Sequence, residues 1–156
     1  MAFEIRVVDN TPLSGEKDLG RALEFFLEQI GYISNRGADN GIAYKLFADC
    51  LMAYPEKSWL IDELIVHLET SRPTVYRHLN KLKSMDILDE TSYLDPDAAR
   101  SGMRATGMTK KAYRLRYGSL EKAWNFVEAH VKVAMENYAR SVEHIQELAD
   151  ARRKGY

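Results

Sequence analysis

"TSRPTVYRHLNKLKSMDILDE", residues 70–90, carries most of the instructions for the fold. Ser71 places a short hydroxyl where a helix must begin, and Pro73 falls in the first turn, where its missing N–H leaves no bond unmade. The residue before a proline resists helical dihedrals, so the boundary is either Ser71 or Arg72. The spacing predicts a helix from about Arg72 to Ser84. At about 100° per residue, Val75, Leu79 and Leu82 gather on one side as a buried face. Opposite them lie Pro73, Arg77, Asn80 and Ser84, with Thr74 and Lys81 on one flank and Tyr76 on the other. His78 stands near the edge of the apolar face, as a half-buried structural histidine.

Upstream, "FEIRVV" alternates as a short strand does, and Thr11, Pro12, Ser14 and Gly15 break it. A helix follows from Glu16 to about Tyr32, with Leu19, Ala22, Leu23, Phe26, Leu27 and Ile30 recurring at spacings of three and four. "SNRGADNG" is a loop, after which Asp39 or Asn40 caps a helix that Pro55 stops. Trp59 and its neighbours make a brief strand. Asp62 caps a short helix facing Leu64, Ile65 and Leu68 inward, and Glu69 and Thr70 form the turn into the opening stretch.

Downstream, "ILDETSYL" reads as a strand from Ile87 to Leu94, and "KAYRLRYG" as another, with Tyr113, Leu115 and Tyr117 on one face and Arg114 and Arg116 on the other. Between them "DPDAARSGMRATGMTK" forms a long, cationic hairpin tip. From Ser119 a helical pattern persists for about 35 residues, a rod of roughly 50 Å. With Trp124 at heptad position a, the a and d sites are Leu120, Trp124, Val127, Val131, Ala134, Tyr138, Ser141, Ile145 and Leu148, and Met135, Val142 and Ala149 widen the stripe at e. So sustained a face asks for a partner.

The chain's 156 residues suffice for one compact core. Its single cysteine, Cys50, excludes an internal disulfide and fits a reducing cytoplasm. No apolar run reaches membrane-spanning length, so no membrane partner is expected. The formal net charge of -1 conceals a division: residues 1–70 hold 6 Lys and Arg against 12 Asp and Glu, residues 71–118 hold 10 against 5, and residues 119–156 hold 6 against 6. The cationic piece begins inside the opening stretch.

Short helix, tight turn, second helix and hairpin form the order of a winged helix-turn-helix. "LIDELIVHLETSRPTVYRHLNKLKSMDIL" resembles the reading head of MarR-like and ArsR-like transcriptional regulators, above all in "SRPTVYRHLNKL" and in the "DIL" that leads into the wing. The resemblance spans about residues 40–118. It implies a second helix that enters the major groove and a wing that touches flanking DNA. It also implies dimerisation through terminal helices.

The residues independently suit that orientation. Arginine can pair with guanine O6 and N7 and asparagine with adenine N6 and N7, so Arg77 and Asn80, with Pro73 and Tyr76 beside them, are the expected base contacts. Ser71, Arg72, Thr74 and Lys81 are the expected phosphate contacts, and Arg100, Arg104, Lys110 and Lys111 those of the wing, over residues 95–111. Leu120, Trp124, Val127, Val131, Ala134, Tyr138, Val142, Ile145 and Leu148 are expected in a dimer seam, its packing irregular, either antiparallel or against the helix of Leu19 to Ile30; in the plainer alternative both helices fold back on the domain. His130 and His144 fall on the rim of the same helix.

The expected fold is mainly α with a small β-hairpin wing, in three parts: an arm over 1–39, a winged helix-turn-helix over 40–118 and a dimerisation helix over 119–156. The expected function is a homodimeric, sequence-specific regulator of transcription on double-stranded DNA, with no catalytic residues, cofactor or metal. The alternative is a winged helix that docks on a protein within a larger complex. The acidic N-terminal third would contact a protein partner or shape an effector pocket.

Overall fold

A computed structural model describes residues 3–33, 40–94 and 109–155. The chain is mainly helical, with a three-stranded antiparallel sheet and a long C-terminal helix. Helix α1 (Leu19–Gln29) starts later than Glu16 because Asp18 is its cap, its carboxylate accepting from the N–H of Arg21 at 2.9 Å. Residues 3–8 form no strand and join no sheet. Their amides instead tie neighbouring helix ends together, Glu4 N–H donating to Ser84 O and Arg6 N–H to Ile30 O, each at 3.0 Å. The alternation that predicted a strand there turns Phe3 and Ile5 toward the core.

Asn40, rather than capping the second helix, is the first residue of α2 (Asn40–Tyr44), which continues as a π-helical segment, Lys45–Leu51. Asp39, the other expected cap, lies outside the described residues. Strand β1 (Trp59–Leu60) leads into α3 (Ile61–Leu68). The expectation for Asp62 needs correcting: Leu60 is the cap residue, Glu63 accepts its N–H at 3.0 Å, and Asp62 stands in the first turn, where a carboxylate favours the helix dipole.

Glu69 closes α3 in the left-handed region, at φ 50°, and turns the chain into α4 (Arg72–Ser84). Ser71 is the cap, its hydroxyl accepting from Thr74 N–H. Two strands follow, β2 (Leu88–Leu94) and β3 (Thr109–Leu115), and the sheet order is β1-β3-β2. Trp59 pairs with Tyr113 across one edge of β3, and Glu90 pairs with Tyr113 across the other. β3 ends two residues before Tyr117, which sits at φ 58° in a 3-10 turn (Arg116–Gly118) and so does not continue the strand face.

Helix α5 (Leu120–Lys154) runs on from that turn, capped by Ser119. Its first turns enter the core: Ala123 and Val127 are fully buried, and Trp124 meets Phe26 edge to face at 5.2 Å between ring centroids. α1, α2, α3, α4, the sheet and proximal α5 therefore share one hydrophobic cluster, with segments 1–39, 40–118 and 119–156 all contributing. Beyond Val131 the helix leaves that core. Among the described residues, no helix is long and apolar enough to cross a membrane.

Candidate nucleic-acid interface

α4 divides into two faces. Val75, His78, Leu79 and Leu82 are buried against the core, so His78 is more enclosed than its place on the helix suggests; Tyr32 OH is hydrogen bonded to its Nδ1. Ser71, Arg72, Pro73, Tyr76, Arg77, Asn80 and Lys81 are exposed on the other side, and Thr74 is half-buried. The base-reading candidates Pro73, Tyr76, Arg77 and Asn80 are thus brought together on one outward surface.

The flanking candidates are more constrained. Arg72 is ion-paired with Asp62 on α3, and the hydrogen bond and charge of Asp62 raise the guanidinium pKa above its usual value. This bridge spans the turn at Glu69 and braces α3 against α4. The hydroxyls of Ser71 and Thr74 bond each other at 2.9 Å. Lys81 Nζ donates to the carbonyl of Tyr32 at 2.7 Å, which draws it toward the end of α1.

The hairpin root is an ion-pair network. Glu90 takes Lys83 from α4 and, at 3.2 Å, Lys111 from β3. The Lys83 hydrogen bond holds the Glu90 carboxyl below the usual carboxylate range, with Lys111 adding to it. Asp89 lies 3.2 Å from Arg116 and 4.0 Å from Arg114. Asp89 and Glu90 are two of the five acids already counted in residues 71–118, so these pairs hold cations in place and leave the segment's net excess unchanged. Of the expected wing residues, Lys110 and Lys111 are exposed at the start of β3, whereas Arg100 and Arg104 lie outside the described residues.

Arg116, expected on the strand face opposite Tyr113 and Leu115, instead stands in the 3-10 turn after β3 and ties neighbouring elements together. Its Nε donates to Asp86 O at 2.9 Å, and its guanidinium lies over the Phe126 ring at 4.1 Å. His130 of α5 is bonded to the carboxylate of Asp86 and stacks on Phe3, so Asp86 joins the end of α4 to α5. The sequence signal for this joint is slight: an aspartate at φ 62° just after a helix, where asparagine and aspartate are the commonest residues besides glycine.

The predicted dimer stripe needs a correction too. Leu120, Trp124, Val127 and Val131 pack on the chain's own core, because the 3-10 turn aims the first turns of α5 at α1. Ala134 is half-buried, and Tyr138, Val142, Ile145 and Leu148 are exposed. Beside the packed half lies an apolar cleft of about 510 Å³, lined by Val7, Pro12, Leu19, Phe26, Met52 and Trp124 among others. Residues 6–30 and Met52 supply most of that cleft's wall, with Arg6, Asn10, Thr11 and Gln29 among the apolar side chains.

Among the described residues, no group of three or more His, Cys, Asp and Glu is placed to hold a metal ion. Comparisons of the chain with protein-family models, with curated proteins and with solved structures find no match.

Proposed function

We propose that the chain is a winged helix-turn-helix protein that binds double-stranded DNA in a sequence-specific way and regulates transcription as a homodimer. The observation that carries this reading is the outward face of α4, where Pro73, Tyr76, Arg77 and Asn80 stand exposed while Val75, Leu79 and Leu82 anchor the opposite side. α3 and the left-handed turn at Glu69 brace that helix from one end, and an antiparallel hairpin follows from the other. In this reading Arg77 and Asn80 meet base edges in the major groove. Arg72 positions α4 through Asp62, while Thr74, Lys110 and Lys111 meet phosphates and Arg100 and Arg104 extend the contact from the hairpin tip.

A protein-docking winged helix is the second reading, favoured by one observation: Arg72, Lys81, Lys83 and Lys111 all have partners within the chain. Selection from random duplex DNA, followed by titration at low and moderate salt, separates the two. Binding through several phosphates weakens steeply with salt, and an enriched sequence supports the regulator. No affinity for any duplex at low salt overturns it.

A further inference from the structure

The distal half of α5 leaves its own core with an apolar face uncovered. Met135, Tyr138, Val142, Ile145 and Leu148 are between 58 and 68% exposed. At about 100° per residue, Val131, Met135, Tyr138, Val142, Ile145 and Ala149 fall within about 80° of one another. Leu120 and Trp124, which border the apolar cleft, lie on that same line. One face of the helix is thus covered near its start and bare near its end.

We propose that this bare half pairs antiparallel with the same segment of a second copy, crossing at Arg140 and Ser141. This deepens the homodimer in the reading above by assigning its surface, direction and register. With the two-fold axis between Arg140 and Ser141, large side chains meet smaller ones, Val131 with Ala149, Leu148 with Ala134 and Tyr138 with Val142, each pair within about 1.5 Å of the same height along the helices. Met135 faces Ile145, and the small Ser141 meets its own counterpart at the crossing.

Charge selects the same register. Asp150 and Arg153 are already bonded within the helix at 3.2 Å. Glu128 and Lys132 stand one turn apart along the same edge of the stripe. Antiparallel pairing sets Lys132 beside Asp150 and Glu128 beside Arg153, giving two quartets of alternating charge related by the two-fold axis. A parallel pairing in register would instead bring the two Arg152 side chains, both at heptad position a, toward each other.

The size is adequate. Residues 131–149 supply roughly 28 Å of helix from each copy, enough to cover on the order of 1,000 Å² in total, where specific interfaces begin. The pairing sets the two His130 residues about 30 Å apart along the axis, close to the roughly 34 Å between successive major grooves. Since His130 is bonded to Asp86 at the end of α4, the register and the DNA-facing helices are mechanically linked.

Disulfide trapping tests the register. Cys50 is buried and its thiol is pushed up to about 11 by burial and by the Asp49 carboxylate, so the native cysteine does not compete. The double variant Met135→Cys/Ile145→Cys is expected to form a covalent dimer under mild oxidation at least tenfold faster than either single variant. Ile145→Asp, at a surface position, is expected to shift the wild-type dimer to monomer in light scattering while keeping its circular dichroism. A single-cysteine variant that cross-links to itself as fast as the double variant overturns the antiparallel register, and a wild-type protein that stays monomeric at tens of micromolar overturns the pairing. Neither measurement involves DNA, so a trapped dimer that ignores every duplex upholds this pairing and removes only the regulatory reading.

Discussion

The carboxylate of Asp86, held at φ 62° just beyond α4, is hydrogen bonded to Nδ1 of His130 on α5. The end of the candidate reading helix is thereby joined to the helix that leaves the core. Two effects oppose each other at this residue, since a left-handed dihedral disfavours any residue with a Cβ whereas the bond to His130 requires the side chain. Asp86→Ala keeps the strain and loses the bond, and is expected to destabilise the fold by about 1–3 kcal/mol. Asp86→Gly loses the bond but relieves the strain, and should recover roughly 1 kcal/mol of that. Chemical denaturation of the two variants checks the difference; equal stabilities would show that the dihedral is not strained.

Arg77→Ala and Asn80→Ala remove exposed side chains and should leave the melting temperature nearly unchanged. Each is expected to erase about 1–3 kcal/mol of discrimination at one base position. Val75→Ala and Leu79→Ala act on the buried side of the same helix and should destabilise the fold, Leu79→Ala by about 2–5 kcal/mol. Thermal melts and competition binding, run on all four variants, separate the two faces.

Arg100→Ala and Arg104→Ala should weaken binding to every duplex about equally, and each should lower the slope of log affinity against log salt by about one. A change of preferred sequence in either variant would instead give these residues a base-reading role.

The carboxyl of Glu90 is held below its ordinary value by Lys83 and Lys111, so the folded state binds a proton there less readily than the unfolded chain. Its contribution is complete above the unfolded carboxylate pKa of about 4.3 and disappears as pH falls through the lower folded value. Glu90→Gln is expected to be less stable than wild type at neutral pH and to lose less stability on acidification below about pH 4.5. Denaturant titrations at pH steps from neutral to acid test this; parallel curves for the two proteins would show that the network contributes nothing.

The sequence by itself determined α4 almost completely. Ser71, Pro73 and the spacing of Val75, Leu79 and Leu82 act within one helix, and local capping and period need no distant partner. The hairpin strands were legible as elements but not in their bounds: β3 takes in Thr109 and Lys110 from the expected tip, ends at Leu115, and buries both Ala112 and Tyr113. Only the tertiary structure decided what the period meets. In α5 the repeat is the same at Val127 and at Ile145, yet one is fully buried and the other 63% exposed, because the turn at Tyr117 aims the helix so that the core ends near Val131. In "FEIRVV" the alternation was real, but the amides of Glu4 and Arg6 went to Ser84 and Ile30 at helix ends rather than to a strand. Lys81, Lys111 and Arg116 looked alike as surface cations, and their partners Tyr32, Glu90 and Asp86 stand 21 to 49 residues away along the chain. A charge records what a residue can bond, while the fold alone brings the partner to it.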